Sequence, residues 1–402
     1  MTTLPHLNDA SIHGASIDDV LANELSQLRD RQLERQLRRT AHRRGAIVET
    51  DHGPAVDFSS NDYLGLASDR RIVDAAVAAL HEHGVGAGAA RLISGNTPEH
   101  EALERDVATF FAAERALTFS SGYAANVGII PALVTRSDAI FADALNHASL
   151  IDGCRLSRAA VHVYAHANHA ALGALLDRHR AGARRALIVT DGLFSMDGDV
   201  APIAEIAELA RQFDAWTLVD DAHAAGVLGE DGRGTASDAG SDAAQVTVGT
   251  LGKAFGSAGA FVYGSATLIQ YLLNRARSFV FSTAMLPAQA AAARAALRIA
   301  AAEPERRRTL ADNGRALRDA LSRANVTVAA TGAGPIVPVP IGDEARTMRI
   351  GATLARSGFL VGAVRPPTVP PGGSRLRITA SAAHTQEQID GLAGALAAAI
   401  HG

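Results

Sequence analysis

The chain has 402 residues, 48% hydrophobic and 20% charged, the composition of a folded globular protein with room for two or three domains rather than of a disordered one. Its formal net charge of −4 at pH 7 gives no reason to expect nucleic acid or an anionic membrane as a partner. A single cysteine, Cys154, rules out an intramolecular disulfide and a cysteine-based metal cluster.

Residues 1–16 are polar and lack the apolar core of a signal peptide, and there is no uninterrupted apolar run of about 18 residues, so a cytoplasmic protein is expected. Over 17–45, Val20, Leu21, Leu25, Leu28, Leu33 and Leu37 recur near helical spacing and predict an Arg-rich amphipathic helix. From about residue 70 to 285, β-rich runs alternate with helical stretches. The predicted strands are Ala116–Phe119, Ala139–Phe141, Val161–Tyr164, Ala186–Thr190, Trp216–Val219, Val246–Val248 and Ala260–Val262. The predicted helices include Arg71–His83, Glu99–Phe111, Ala170–Arg180 and Ile203–Phe213. Such alternation implies an α/β fold with a mainly parallel sheet covered on both faces, which binds ligands at the carboxyl ends of its strands. An Ala-rich helix over 288–302 is interrupted at Glu303-Pro304, and strand signals follow at Val326–Ala329, Ile336–Pro340 and Leu376–Thr379. The expected organisation is an N-terminal helical arm (1–60), a large domain carrying the seven strands (61–287) and a small α+β domain (288–402).

Lys253 is the only lysine in the chain; the other 37 of the 38 Lys and Arg side chains are arginine. Either codon bias replaced the rest, or position 253 needs a primary amine. Arginine cannot lose its proton in a protein, whereas a lysine amine can, and a Schiff base requires that free amine. Lys253 sits in Thr250-Leu251-Gly252-Lys253-Ala254-Phe255-Gly256, just past a predicted strand end. The preceding strand ends in Leu218-Val219-Asp220-Asp221-Ala222-His223. An aspartate there is either a helix N-cap or a buried carboxylate that needs a cationic partner, such as a protonated pyridine nitrogen. With a lysine loop after the next strand, the cofactor reading is preferred. Ser120-Ser121-Gly122-Tyr123-Ala124-Ala125-Asn126 follows another strand and opens a helix, the usual form of a phosphate cradle. Asn146-His147-Ala148-Ser149 also follows a strand, and a histidine there can stack on a planar ring. Arg375 and Arg377 lie two apart on a strand-like run and point to one face.

Together these segments resemble the fold-type I enzymes that use pyridoxal 5′-phosphate (PLP), and among them the α-oxoamine synthases. The resemblance covers nearly the whole chain. It rests on Asn61-Asp62-Tyr63-Leu64-Gly65-Leu66, Ser121 to Asn126, His147-Ala148-Ser149-Leu150, Phe194-Ser195-Met196-Asp197-Gly198-Asp199, Asp220 to His223, the Thr250–Lys253 loop and Arg365-Pro366-Pro367-Thr368-Val369-Pro370. It implies that Lys253 holds PLP as a Schiff base and shuttles the α-proton. It further implies that Asp220 pairs with the pyridinium nitrogen, that His223 bonds the ring 3′-oxygen and that His147 stacks on the ring. Gly122, Tyr123, Ser195 and Thr250 would line the cofactor, and Arg377 would clamp the amino-acid carboxylate.

The 365–370 segment resembles members that join L-alanine to a pimeloyl thioester, carried on acyl carrier protein or coenzyme A, with loss of carbon dioxide; members using glycine or serine are the alternative. Thr368 is then expected near the amino acid, and Arg35, or next to it Arg38, near the acyl chain or its carrier. The resemblance also implies a homodimer with shared active sites, in which Ser282 or Thr283 reaches the neighbouring subunit's phosphate.

Overall fold

The computed structural model describes residues 16–31, 33–240, 243–329 and 334–401. Its central sheet has seven strands, in the spatial order Arg115–Phe119, Ala260–Gly264, Val246–Thr250, Trp216–Asp220, Ala186–Asp191, Ala139–Asp143, Ala160–Tyr164. These are the seven strands expected from sequence. The pairings from Val246–Thr250 outward to Ala160–Tyr164 are parallel, and Ala260–Gly264 runs antiparallel to both its neighbours. This mainly parallel seven-stranded sheet is the α/β architecture expected from the sequence.

Strands Val246–Thr250, Ala186–Asp191 and Ala139–Asp143 are buried at every position. That two-sided burial is why they read as unbroken apolar runs instead of alternating ones. Successive side chains serve opposite layers. Ile140, Leu187 and Leu218 pack with Ile129, Leu150 and Ile269 on one face. Phe141, Ile188 and Val219 pack with Leu172, Leu176 and Ile206 on the other. Each such side chain, fully buried, contributes about 1.5–3 kcal/mol.

Two expectations fail. The helix predicted over 17–45 spans only Ile17–Asp30 and buries none of its residues. Beyond it, Thr40–Arg44, Ile47–Thr50 and Gly53–Asp57 form an antiparallel ribbon, joined at its edge by the parallel strand Phe359–Leu360. Gly45 turns the chain with φ +57°, and the β-branched pair Ile47-Val48 suits a strand better than a helix. Leu37, which completed the helical period, is fully exposed. The second failure is Val326–Ala329, which is not a strand. Val326 is tied back to the preceding helix through Leu321, and the segment reaches the neighbouring strand only by the Ala329 N–H bond to Pro338 O. The remaining C-terminal strands, Ile336–Gly342, Ser374–Thr379 and Gly362–Val364, form an antiparallel sheet flanked by helices Glu344–Arg356 and Gln386–His401.

The register of the parallel strands places four polar residues along one edge. Asp143, Asp191, Asp220 and Thr250 are the last residues of four neighbouring strands, and Asp191 pairs directly with Asp220. The loop after Thr250 carries Lys253 and closes on itself through Gly256 N–H to Lys253 O (2.9 Å) and Ser257 N–H to Leu251 O (2.9 Å). Gly256 has φ +58°, and a Cβ there would lie 2.4 Å from the Ala67 nitrogen. Both conformation and space therefore demand glycine. Gly256→Ala is expected to lower stability by about 2–4 kcal/mol in chemical denaturation; an unchanged midpoint would show that this loop is not fixed against residues 66–67.

Candidate active site

Asp220 is buried at its strand end. Its Oδ2 accepts from Asn126 Nδ2 at 2.6 Å and its Oδ1 from the Ala222 N–H at 2.9 Å. Asn126 Nδ2 also donates to Ser149 Oγ (2.9 Å), and Ser149 Oγ meets His147 Nδ1 at 2.7 Å. His147 caps the helix Ala148–Ser157, and its Nδ1 accepts from the Ser149 N–H. That bond assigns the ring proton of the neutral form to Nε2. Burial holds the ring below its usual pKa, against the opposing pull of Asp220 and with help from Lys253.

Asp191 is equally buried, and its Oδ2 accepts the His147 backbone N–H at 2.7 Å. Burial and the neighbouring Asp220 push its carboxyl well above the usual range. Lys253 answers to both carboxylates. Burial lowers its amine to about 8, against the raising effect of Asp220 and then Asp191, and Arg377 adds to the lowering. An amine that can shed its proton near neutrality while facing two acids is suited to nucleophilic and proton-transfer chemistry.

A second network surrounds His223. Its Nδ1 lies 2.7 Å from the Tyr63 hydroxyl, and burial, followed by the charges of Lys253 and Arg377, holds the ring well below its usual pKa. Arg377 is buried. Its Nη2 donates to Asn61 Oδ1 (3.1 Å) and to the Tyr63 hydroxyl (3.3 Å), and its Nε donates to the Ser195 carbonyl. These bonds fix the plane of the guanidinium. Asn146, His147, Ser195, Met196, Thr368 and Pro370 line a cleft of about 320 Å³ beside the cluster. Thr368 Oγ1 accepts from Arg35 Nη2 at 3.3 Å. Arg35 and Arg38 face a wider cleft of about 820 Å³ that reaches Arg365 and Thr368.

The structure thus gathers Lys253, Asp220, His147 and His223 into one electrostatic unit, with Arg377 and Ser195 linked to it. Thr250 ends the adjacent strand, but its hydroxyl is spent on the loop, donating to Gly259 O (2.9 Å) and accepting from Gly252 N–H (3.2 Å). Gly122 starts the helix Gly122–Leu133 that carries Asn126. Tyr123 is half exposed and its hydroxyl bonds Asp152. Ser282 and Thr283 line a separate small cavity beside Arg91 and Ser120. Sequence reasoning missed Asp191, Asn126 and the Tyr63–Asn61 pair as parts of the site. Asp191 had the same signal as Asp220, an acid closing an apolar strand.

The residues present fit PLP. A buried carboxylate, anchored on both oxygens yet facing an amine, suits a cationic ring nitrogen. The helix beginning at Gly122 exposes its first N–H groups, and a Cβ at Gly122 would meet nothing within 4 Å, which leaves room for a phosphate. Asn126 Oδ1 is buried without a hydrogen-bond partner among the described residues.

The aminotransferase class I and II model matches residues 54–396. An 8-amino-7-oxononanoate synthase from Anaeromyxobacter dehalogenans is 49% identical over 383 residues, covering 95% of this chain and 96% of that protein. Among solved structures, a serine palmitoyltransferase from S. paucimobilis with a PLP–myriocin adduct superposes with a TM-score of 0.90 at 28% identity, over 96% of this chain and 97% of that one. An 8-amino-7-oxononanoate synthase from Francisella tularensis superposes with a TM-score of 0.74 at 28% identity, over 86% and 98%.

The lowered amine is directly measurable, because no other lysine side chain competes for reagent. In the cofactor-free protein, the rate of acylation of the Lys253 peptide, followed by mass spectrometry, should rise with pH through a midpoint of about 8 and level off above it as the neutral amine saturates. A midpoint near that of free lysine, about 10.4, would contradict the electrostatic account.

Proposed function

Because the chain belongs to the aminotransferase class I and II family, and within it to the 8-amino-7-oxononanoate synthases, we propose that it condenses L-alanine with a pimeloyl thioester to give 8-amino-7-oxononanoate. It is a PLP-dependent acyltransferase of biotin synthesis. In the proposed reaction, the alanine α-carbon bonds the thioester carbonyl carbon, the thiol carrier leaves, and the alanine carboxylate departs as carbon dioxide. The observation that carries this reading is the buried Lys253 amine, lowered to about 8 within the field of Asp220 and Asp191 at the strand ends, beside a cleft bounded by His147, Ser195 and Thr368.

Bound PLP supplies an electron sink for negative charge developing at the amino-acid α-carbon. Lys253 would hold the cofactor and would take the amino-acid α-proton on Nζ; its lowered pKa makes the neutral amine accessible near pH 8. Asp220 would face the ring nitrogen, its two oxygens held in place by Asn126 and the Ala222 N–H. His147, kept neutral, offers a flat apolar face to the ring. His223, aligned by Tyr63, would bond the ring 3′-oxygen. Gly122 and Tyr123 receive the phosphate at the helix start, with Thr250 and Ser195 closing the sides. Arg377 takes the alanine carboxylate, a task its planar fork performs bidentately.

Thr368 lies at the amino-acid end of the path, and its partner Arg35 meets the acyl chain or its carrier, acyl carrier protein or coenzyme A. These residues divide over the three parts proposed for the chain: an arm (1–60), a large domain (61–287) and a small domain (288–402). We place the enzyme in the cytoplasm as a homodimer with shared sites, Ser282 or Thr283 reaching the neighbouring phosphate. No helix among the described residues is long and apolar enough to cross a membrane.

Mass spectrometry of the product formed from L-alanine and a pimeloyl thioester tests the assignment. The expected product is the amino ketone that retains the alanine methyl group and lacks its carboxylate; turnover with glycine or serine but not alanine would overturn it. Lys253→Arg should lower turnover more than about 10³-fold while the fold persists. Asp220→Asn should slow α-proton exchange from alanine by about 10²-fold or more; wild-type exchange in that variant would remove Asp220 from its role.

A further inference from the structure

His166 stands outside the cluster above, yet it carries one of the most closely held charges in the molecule. Its Nδ1 lies 2.9 Å from Asp143 Oδ1 and its Nε2 lies 2.6 Å from Asp199 Oδ2. The ring meets Phe194 edge-on at 4.4 Å between centroids. Contact with the two carboxylates raises its pKa to about 10, so it is a cation at neutral pH. Neither acid is a loose partner. Asp143 closes a central strand and also accepts the Leu145 and Ala167 N–H groups at 2.8 Å each. Asp199 ends the turn Phe194–Asp199, where Phe194 N–H bonds Asp199 O and Gly198 N–H bonds Phe194 O, both at 2.9 Å.

That turn touches the substrate apparatus on its other side. The Ser195 carbonyl accepts from Arg377 Nε, and the Asp197 carboxylate pairs with Arg375. Ser195 and Met196 line the cleft with Thr368. Gly198 has φ +72°, and a Cβ there would lie 2.7 Å from the Ile336 carbonyl oxygen, so the turn is pressed against the C-terminal sheet that carries both arginines. From the edge of the central sheet to the carboxylate-binding arginine there is one continuous chain of polar contacts: Asp143, His166, Asp199, the turn, the Ser195 carbonyl and Arg377.

We propose that His166 is a positioning residue for the amino-acid substrate: by clamping Asp199 to Asp143 it fixes the 194–199 turn, and through the Ser195 carbonyl it sets the orientation in which Arg377 meets the substrate carboxylate. This rests on the reading of Arg377 as the carboxylate clamp. Removing the imidazolium frees the turn and leaves two carboxylates facing each other, so the turn moves and Arg377 loses its fixed acceptor. The effect falls on amino-acid binding, not on the acyl site or on proton transfer at Lys253.

His166→Gln is the direct test, with Asp199→Ala as the second variant: it cuts the same link and leaves the His166–Asp143 pair intact. Hydrogen exchange of the cofactor-free protein should show the peptide over 192–200 exchanging about fivefold faster or more, with the helix Gly122–Leu133 unchanged. In steady-state kinetics, using whichever amino acid the wild type turns over, KM for the amino acid should rise about tenfold. KM for the acyl thioester and kcat should stay within about twofold. Because the exchange measurement needs no substrate, a wrong alanine assignment leaves it standing. Unchanged exchange over 192–200 in both variants overturns the proposal, and so does a loss in kcat alone or an equal rise in both KM values.

Discussion

One buried amine lies in the field of two carboxylates at the carboxyl edge of a parallel sheet, and the rest of the site is arranged around these three groups. Asp191 and Asp220 end neighbouring strands in register. In so buried a place two like charges cannot both be carried cheaply. The structure meets this by giving them unequal company. Asp220 receives an amide and a backbone N–H. Asp191 receives a single backbone N–H, from His147, and it is Asp191 whose carboxyl is driven far up. The acid best supplied with donors is the one proposed to face the cofactor ring, and the other acts on the backbone of the residue proposed to cover it.

Register is what makes this possible. A parallel sheet aligns the ends of its strands, so a single polar residue closing each apolar run arrives at one edge: Asp143, Asp191, Asp220 and Thr250. The helices that follow then bring in Asn126 and His147 near their N-termini. The C-terminal sheet supplies Arg377 from the opposite side, held by Asn61, Tyr63 and the Ser195 carbonyl. Residues that follow the seven-stranded sheet and residues of the C-terminal sheet therefore meet around one cleft, and the 194–199 turn contacts both.

The central sheet was legible in sequence, because strands buried on both faces leave unbroken apolar runs such as Ala186–Thr190 that helix periodicity does not imitate. Lys253, Asp220, His147 and His223 were legible for a related reason: each follows one of those runs within a few residues. The N-terminal segment was not. Leu33 and Leu37 extended an apparent helical period by coincidence, while the features that end the helix and begin the ribbon, a left-handed Gly45 and cross-strand pairing with residues 53–57, act over distances a local pattern does not record. Val326–Ala329 failed likewise, its β-branched content outweighed by its tether to Leu321. Partnerships between remote residues, Asn126 with Asp220, Tyr63 with His223 and His166 with Asp143 and Asp199, lie in the packing and not in the order of the chain.

The uniqueness of Lys253 makes the central claim open to one decisive measurement. The PLP-loaded enzyme is reduced with borohydride, digested, and its peptides are mapped by mass spectrometry. The account predicts a single pyridoxyl-labelled peptide, the one containing Thr250-Leu251-Gly252-Lys253. An unlabelled Lys253 peptide, with cofactor found on the N-terminal amine or on no peptide, would contradict it.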